Sequence, residues 1–200
     1  MLIVKHRVNT IKEIKSLNKD LGAEIDIRSS KNKLILHHDP FKKGENLERW
    51  IQSFDHKFLI LNVKEEGLEK KVLRLMKQNN IKNFFFLDQS IPFLIKTIKS
   101  KEYRCAIRLS EYESIETIKK MPVQIKWIWL DCFTKYDMNK SSIKYLLESG
   151  KNICVVSPEL QGRTSKEEIF LAINKFKRYK FVPNAVCTKY PKLWSESFKL

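Results

Sequence analysis

LGAEIDIRSSKNKLILHHDP, residues 21–40, contains two apolar runs separated by a short polar turn. A strand points every second side chain to the same face, so Glu24 and Asp26 are predicted to lie together on one face of the first run. Two carboxylates on one face are costly to bury unless positive charge lies between them. Mg²⁺ and Ca²⁺ are cations that prefer such oxygen ligands. Together with His38, at the end of the second run, the pair indicates a metal-assisted acid/base site.

Apolar runs alternate with amphipathic segments along the whole chain, which predicts eight βα units. The predicted strands begin at Leu2, Ala23, Lys57, Asn83, Arg104, Gln124, Asn152 and Asn184. Eight such units in one domain, residues 1–200, favour a compact, single (β/α)₈ TIM barrel, with a small β excursion at Lys33–His38 after the second strand. An open doubly wound sheet is the main alternative. No Gly-rich loop follows the first strand, which argues against a nucleotide-binding version of that sheet.

Helix starts are predicted from capping boxes, in which a Ser or Thr is followed three residues later by Glu. Ser110 with Glu113 predicts one helix start, and Thr164 with Glu167 predicts another.

Polar side chains collect where the predicted strands end, which is where barrel enzymes carry their active sites. The polar residues at these ends include Asp88 and the candidate site residues His6, Arg7, Glu24, Asp26, His38, Asn62, Lys64, Asp131 and Glu159. Each motif alone is at least as compatible with a structural role as with a functional one. Because all of them are predicted at one end of the barrel, a functional site is favoured.

The composition limits the cellular setting and the partners. The formal net charge is +16, which suits an anionic partner such as a phosphate ester, a nucleic acid or an acidic membrane surface. The lysines are scattered along helical faces without a nucleic-acid-binding signature, so no nucleic-acid partner is expected. No apolar run has the length of a transmembrane segment, and we predict a cytoplasmic protein. The four cysteines lack metal-ligand spacing and are predicted to be reduced, packed thiols.

Three motifs in order resemble the glycerophosphodiester phosphodiesterase family of the phosphatidylinositol-phospholipase-C-like superfamily. They are His6-Arg7, Gly22-Ala23-Glu24-Ile25-Asp26 and His38-Asp39-Pro40. Two later stretches, Leu61-Asn62-Val63-Lys64 and Ala185–Pro191, also resemble that family, so the resemblance covers the whole chain. It implies a (β/α)₈ barrel that hydrolyses a small phosphodiester with Mg²⁺ or Ca²⁺.

The resemblance also implies roles for individual residues. His6 and His38 are the expected general acid and base, and Glu24, Asp26 and Asn62 the expected metal ligands. Arg7 and Lys64 are expected to bind phosphate. Asp131 and Glu159, at later strand ends, are expected to complete the metal shell or to bind substrate hydroxyls.

The sequence departs from the family pattern at several positions. Val8 replaces the family's Gly after His-Arg, Asn62 replaces the acid of the third strand, and Lys189 replaces an Asp near the last strand. An amide oxygen can bind a hard cation, but losing one negative charge weakens the site. A barrel that binds phosphorylated ligands without hydrolysis, or a lyase-type relative, therefore remains as the alternative to a phosphodiesterase.

Overall fold

The computed structural model describes residues 1–136 and 139–198, in which strands alternate with helices. The strands are β1 (Leu2–Lys5), β2 (Gly22–Ser30), β3 (Lys33–Leu36), β4 (Glu45–Asn46), β5 (Leu59–Val63), β6 (Phe84–Leu87), β7 (Ala106–Leu109), β8 (Trp127–Leu130), β9 (Asn152–Val156) and β10 (Ala185–Thr188). The helices are α1 (Ile11–Ser16), α2 (Leu47–Ile51), α3 (Glu69–Gln78), α4 (Ile91–Lys99), α5 (Ile115–Lys120), α6 (Lys140–Glu148), α7 (Lys166–Arg178) and α8 (Pro191–Ser197), with a 3₁₀ turn at Pro158–Gln161.

The chain divides into two compact units, and the division falls within β1. The N-terminal unit is Val4–Cys105. The C-terminal unit is Ala106–Leu200 together with Met1–Ile3. Each unit has its own parallel strands and its own apolar core.

The N-terminal unit is built around β2. Strand β5 pairs with β2 in parallel, from Ala23 opposite Leu59 to Ile27 opposite Val63, and β6 pairs with the other edge of β5. All residues of β5 and β6 are buried, as expected for parallel strands covered on both faces. The far end of β2 pairs with β3 in antiparallel fashion, which confirms the predicted excursion.

The C-terminal unit contains four consecutive parallel strands, β7 to β10, in which each strand pairs with the next. The amide of Leu2 donates to Asn184 O, next to the start of β10. One loop of this unit is held by Glu111, whose carboxylate accepts the backbone N–H groups of Phe133, Thr134 and Lys135 at 3.1, 2.6 and 3.0 Å.

The predicted starts of two helices are wrong, because each helix has as its N-cap a serine further along the chain. Ser110 Oγ donates to Glu113 Oε2 within a turn, and α5 begins only at Ile115, after its N-cap Ser114. Helix α7 begins one residue later than predicted, since Ser165, not Thr164, accepts the N–H of Glu168. A Ser or Thr three residues before a Glu can form side-chain hydrogen bonds without starting a helix. The position of the apolar face decides where the helix starts.

Other predictions concern the cysteines and the membrane. Cys105, Cys132, Cys154 and Cys187 are buried free thiols, as predicted. Within the described parts of the chain, no helix combines the length and apolarity needed to cross a bilayer. In each unit parallel strands alternate with helices, so the predicted mixed α/β class is confirmed.

Candidate active site

The acid pair, defined as Glu24 and Asp26, lies in the middle of β2. Both side chains belong to residues with 0% exposure. Asp26 is paired in register with Asn62 of the neighbouring β5, and Glu24 with Ile60. The period of two therefore brings both carboxylates, with the Asn62 amide beside them, to one buried place.

The segment 6–9, which follows β1, bonds to the acid pair through its backbone and its side chains. Arg7 has a left-handed φ of 52° and donates its N–H to Glu24 Oε2 at 2.7 Å. The side chain of Asn9 makes two bonds to Asp26, from Nδ2 to Oδ2 and from the Asp26 N–H to Oδ1, each 2.9 Å long. His6 Nε2 lies 3.8 Å from Glu24 Oε2. Hydrogen bonds thus join the segment 6–9 to β2 just after the end of β1.

Positive charge approaches the acid pair from two sides. Lys64 Nζ lies 3.5 Å from Asp26 Oδ1 and donates to Asp88 Oδ2 at 3.1 Å. Arg7 Nε lies 3.6 Å from Asp26 Oδ2, although 42% of the Arg7 side chain is exposed. Two cationic side chains therefore lie beside Asp26.

The acid pair is incompletely neutralised. Burial, followed by repulsion from Asp26, raises the pKa of Glu24 to about 8 from its ordinary value of 4.5, in spite of hydrogen bonds from Arg7 and Asn62. Two buried oxygens, Asp26 Oδ1 and Asn62 Oδ1, have no hydrogen-bond donor among residues 1–136 and 139–198. Buried polar atoms without partners are uncommon, and these two oxygens belong to residues that are paired in register on neighbouring strands.

These oxygens match the chemistry of a hard divalent cation. Asn62 Nδ2 donates to Glu24 Oε1 at 2.9 Å, while its own oxygen is buried without a hydrogen-bond donor among the described residues. Carboxylate and amide oxygens are the ligands preferred by Mg²⁺ and Ca²⁺. In the described part of the chain, no group of three or more His, Cys, Asp or Glu side chains is arranged to hold a metal ion. Two acidic side chains, Glu24 and Asp26, meet here, and the third residue, Asn62, contributes an amide oxygen.

His38 follows β3 in a turn that bonds to β2. The amide of His37 donates to Asp26 O, and the Arg28 guanidinium donates from Nε and Nη2 to His38 O at 3.0 and 2.9 Å. The His38 side chain is 41% exposed, and its Nδ1 is hydrogen-bonded to Asp39 Oδ1 at 2.8 Å. Bonding to His38 lowers the pKa of Asp39, and Arg7 contributes to that effect. The backbone of this turn thus adjoins the acid pair.

Asp131 and Glu159 lie in the C-terminal unit and make their own sets of bonds there. Arg108 Nη1 donates to Asp131 Oδ2, and Gln161 Nε2 and the Cys132 N–H donate to Asp131 Oδ1. Glu159 Oε1 accepts from Thr188 Oγ1 and the Lys189 N–H, and Glu159 Oε2 accepts from Ser157 Oγ. Every oxygen of these two carboxylates is bonded, an arrangement that indicates a structural contribution for both.

The structure adds Asn9, which was not predicted for this site, and gives a partner to Asp88, which was predicted only as a polar residue at a strand end. Asn9 bonds both the amide and the carboxylate of Asp26, and Asp88 bonds Lys64 from a left-handed backbone conformation with φ of 61°. Asp88 directly follows β6, and this strand-end position was its signal in the sequence. Asn9 is separated from the end of β1 by His6, Arg7 and Val8, so it had no comparable signal.

No protein-family model matches the chain, and no curated protein matches it. Solved structures with the same fold do exist. A glycerophosphoryl diester phosphodiesterase from Parabacteroides distasonis matches 98% of this chain and 85% of its own, with a TM-score of 0.69 at 14% identity. A glycerophosphodiester phosphodiesterase from Agrobacterium tumefaciens matches 98% and 99%, respectively, with a TM-score of 0.69 at 14% identity.

A mutant tryptophan synthase α-subunit from Pyrococcus furiosus is less similar. It matches 98% of this chain and 89% of its own, with a TM-score of 0.56 at 13% identity. At such identities these matches show a shared fold. The predicted resemblance to glycerophosphodiester phosphodiesterases is confirmed at this level.

Proposed function

We propose that the protein is a divergent glycerophosphodiester phosphodiesterase that hydrolyses a small glycerophosphodiester-like substrate. One observation carries this proposal: the buried acid pair lies beside His6, Arg7 and Lys64, and Asp26 Oδ1 and the neighbouring Asn62 Oδ1 have no hydrogen-bond donor among the described residues. The fold likeness to phosphodiesterases across 98% of the chain supports it. That likeness also supports the predicted closed (β/α)₈ barrel, which is part of the proposal.

Glu24, Asp26 and Asn62 would hold a Mg²⁺ or Ca²⁺ ion. When bound, such an ion supplies charge neutralisation of the phosphate and lowers the pKa of an attacking hydroxyl. The ion would also remove the mutual repulsion of the acid pair, which contributes to the raised pKa of Glu24 after the larger effect of burial.

Arg7 and Lys64 orient the phosphate in this proposal. Arg7 offers a planar fork of N–H donors to two phosphate oxygens, and the ammonium of Lys64 acts as a point charge. Because Lys64 is only 18% exposed at its side chain and is held by Asp26 and Asp88, its charge is fixed in place before substrate arrives. Such preorganised charge stabilises a transition state in which negative charge builds up on phosphate oxygens.

His6 and His38 transfer the protons. One imidazole removes a proton from the attacking hydroxyl as the new P–O bond forms, and the other imidazolium donates a proton to the leaving alkoxide as the old P–O bond breaks. An imidazole suits both tasks because its ordinary pKa lies near neutral pH. With its Nδ1–H donating to Asp39 Oδ1, the His38 ring is oriented and its Nε2 is left for proton transfer.

A second candidate function is binding of a phosphorylated ligand without hydrolysis, or a lyase-type reaction. The observation that favours it is Asn62, which leaves two carboxylates where the resemblance implies three acids. In that case the acid pair, Arg7 and Lys64 would still bind an anion, with or without a cation.

The decisive experiment measures hydrolysis of a panel of glycerophosphodiesters, and of bis(p-nitrophenyl) phosphate, with Mg²⁺, with Ca²⁺ and with a chelator. Turnover that requires a divalent cation is expected. His6→Ala and His38→Ala should each lower kcat by about a hundredfold, the usual effect of losing a general acid or base.

The double variant should fall little further, because residues that act as a unit are not additive. His56→Ala is the matched control, since His56 bonds Leu17 O away from the acid pair, and its turnover should stay near that of the wild type. Near-normal turnover in either single variant would remove that histidine from the mechanism. Ligand binding without any turnover would favour the second candidate.

A further inference from the structure

A cationic surface with an aromatic tip lies immediately after the His38-Asp39 turn. We call residues 40–43 the Phe41 loop. The relative exposure of Phe41 is 103%, the highest among the exposed large apolar residues of the described chain. Lys42 and Lys43 are exposed beside it. A single exposed apolar side chain is ordinary on a protein surface, but this one lies between a Pro and two exposed lysines and adds nothing to the core.

The backbone holds Phe41 outward. Phe41 has a left-handed φ of 60°, a conformation that residues with a side chain rarely adopt. Gly44, which follows the loop, packs so closely that a Cβ there would lie 2.3 Å from Leu36 O. The loop is therefore fixed at its base against the end of β3, while its tip turns away from the unit.

Further cations accompany the loop. An open cleft of about 510 Å³ is lined by Arg28, Lys42, Lys43 and Phe41, and by Glu65, which pairs with Arg28 at 3.7 Å. The neighbouring β2–β3 turn, which lines a second open cleft reaching Gly44, adds the exposed Lys31 and Lys33. In this part of the surface, exposed lysines outnumber exposed acids, of which Asp39 is bonded to His38.

We propose that the Phe41 loop docks on an anionic lipid surface, with Phe41 entering the headgroup region and Lys31, Lys33, Lys42 and Lys43 facing lipid phosphates. Peripheral binding of this kind needs one apolar group that can be buried in the interface and several cations that are attracted to negative headgroups. The loop presents both within a few residues. A formal net charge of +16 adds long-range attraction to the same surface.

The test is co-sedimentation of the full chain with vesicles of phosphatidylcholine alone and of phosphatidylcholine mixed with phosphatidylserine, in low and in high salt and without substrate. We expect binding to the mixed vesicles only, weakened by salt. Phe41→Ser should lower the affinity about tenfold or more, since burial of a Phe side chain is lost. The double variant Lys42→Gln/Lys43→Gln should lower it by about tenfold as well, from two lost surface charges.

Matched controls come from the C-terminal unit. Tyr112→Ser removes an aromatic side chain that is 75% exposed, and Lys120→Gln/Lys166→Gln removes two exposed charges. Both should bind vesicles like the wild type. In Phe41→Trp, brominated lipids should quench additional fluorescence relative to the wild type, because the new indole enters the bilayer interface.

Several results would overturn the proposal. They are no binding to anionic vesicles, unchanged binding of Phe41→Ser, or equal losses in the control variants. Equally tight binding to duplex DNA, weakened by the same loop substitutions, would instead assign the loop to nucleic acid. Because vesicle binding is measured without catalysis, its failure leaves the proposed hydrolysis untouched, and loss of hydrolysis in the histidine variants leaves vesicle binding untouched.

Discussion

The acid pair of the N-terminal unit and the carboxylates of Asp131 and Glu159 in the C-terminal unit are equally buried but differently bonded. Asp131 and Glu159 have a donor for every carboxylate oxygen. In the acid pair, like charges share one strand face, and Asp26 Oδ1 lacks a hydrogen-bond donor among the residues described. Burial alone therefore does not indicate whether an acid has an oxygen left to bind a ligand, whereas its hydrogen-bond partners do. Within the acid pair this applies to Asp26, because both carboxylate oxygens of Glu24 are bonded.

The largest expected effect is on catalysis by the acid pair. Asp26→Asn should lower turnover by about a thousandfold, because several kcal/mol of charge stabilisation at the phosphate are lost. The unfolding free energy should change by less than about 1 kcal/mol, since the amide can still accept from Asn9 and repulsion with Glu24 is removed. Steady-state kinetics and urea titration measure the two quantities. A large loss of stability with normal turnover would make Asp26 a structural acid like Glu159.

A second prediction uses pH. The pKa of Glu24 is raised to about 8 from 4.5, so folding favours its protonated form. Its contribution to stability is fully present below pH 4.5 and is lost as pH rises through about 8. Compared with Glu24→Gln in the presence of a chelator, the wild type should lose stability across this range, as followed by urea titration at several pH values. Mg²⁺ should reduce that loss; parallel pH profiles for the two proteins would show that Glu24 is already neutralised by its neighbours.

Glu159→Gln should give the opposite result to Asp26→Asn. The amide nitrogen would face Ser157 Oγ, which already accepts from Trp194 Nε1, so hydrogen bonds to a charged acceptor are lost. We expect a decrease of about 2 kcal/mol in the unfolding free energy, with turnover per folded molecule nearly unchanged. Urea titration together with active-site-normalised kinetics would check this. A selective loss of turnover would show that Glu159 acts in binding or catalysis, as its position at a strand end predicts.

The smallest expected effect comes from completing the acid cluster. Asn62→Glu should tighten binding of Mg²⁺ or Ca²⁺ by about tenfold, equal to about 1.4 kcal/mol, because a third carboxylate adds negative charge. Without the cation the same variant should be less stable, since it buries another charge. Calorimetric titration measures the affinity, with Asn62→Gln as the control of similar size. Unchanged affinity would place the cation elsewhere.

The sequence was sufficient to predict that Glu24, Asp26 and Asn62 lie together, because strand alternation and parallel register are local rules with few alternatives. It was also sufficient to predict the β excursion that contains β3. It was insufficient for Asn9, whose position depends on how the chain turns after β1. It also did not show that Asp131 and Glu159 would find a full set of donors, because some of those donors are side chains of other strands, such as Arg108 and Thr188.

The contacts of Glu111 have a consequence for the order in which the chain folds. Its three backbone donors lie only 22 to 24 residues further along the chain, and β7 and β8 pair over a similar separation, as in Ala106 opposite Trp127. Short separations keep the entropy of loop closure low and favour rapid formation. We therefore expect the segment β7–α5–β8 and the loop after it to form early in the folding of the C-terminal unit. The strands that complete the C-terminal unit then add to a template that already exists.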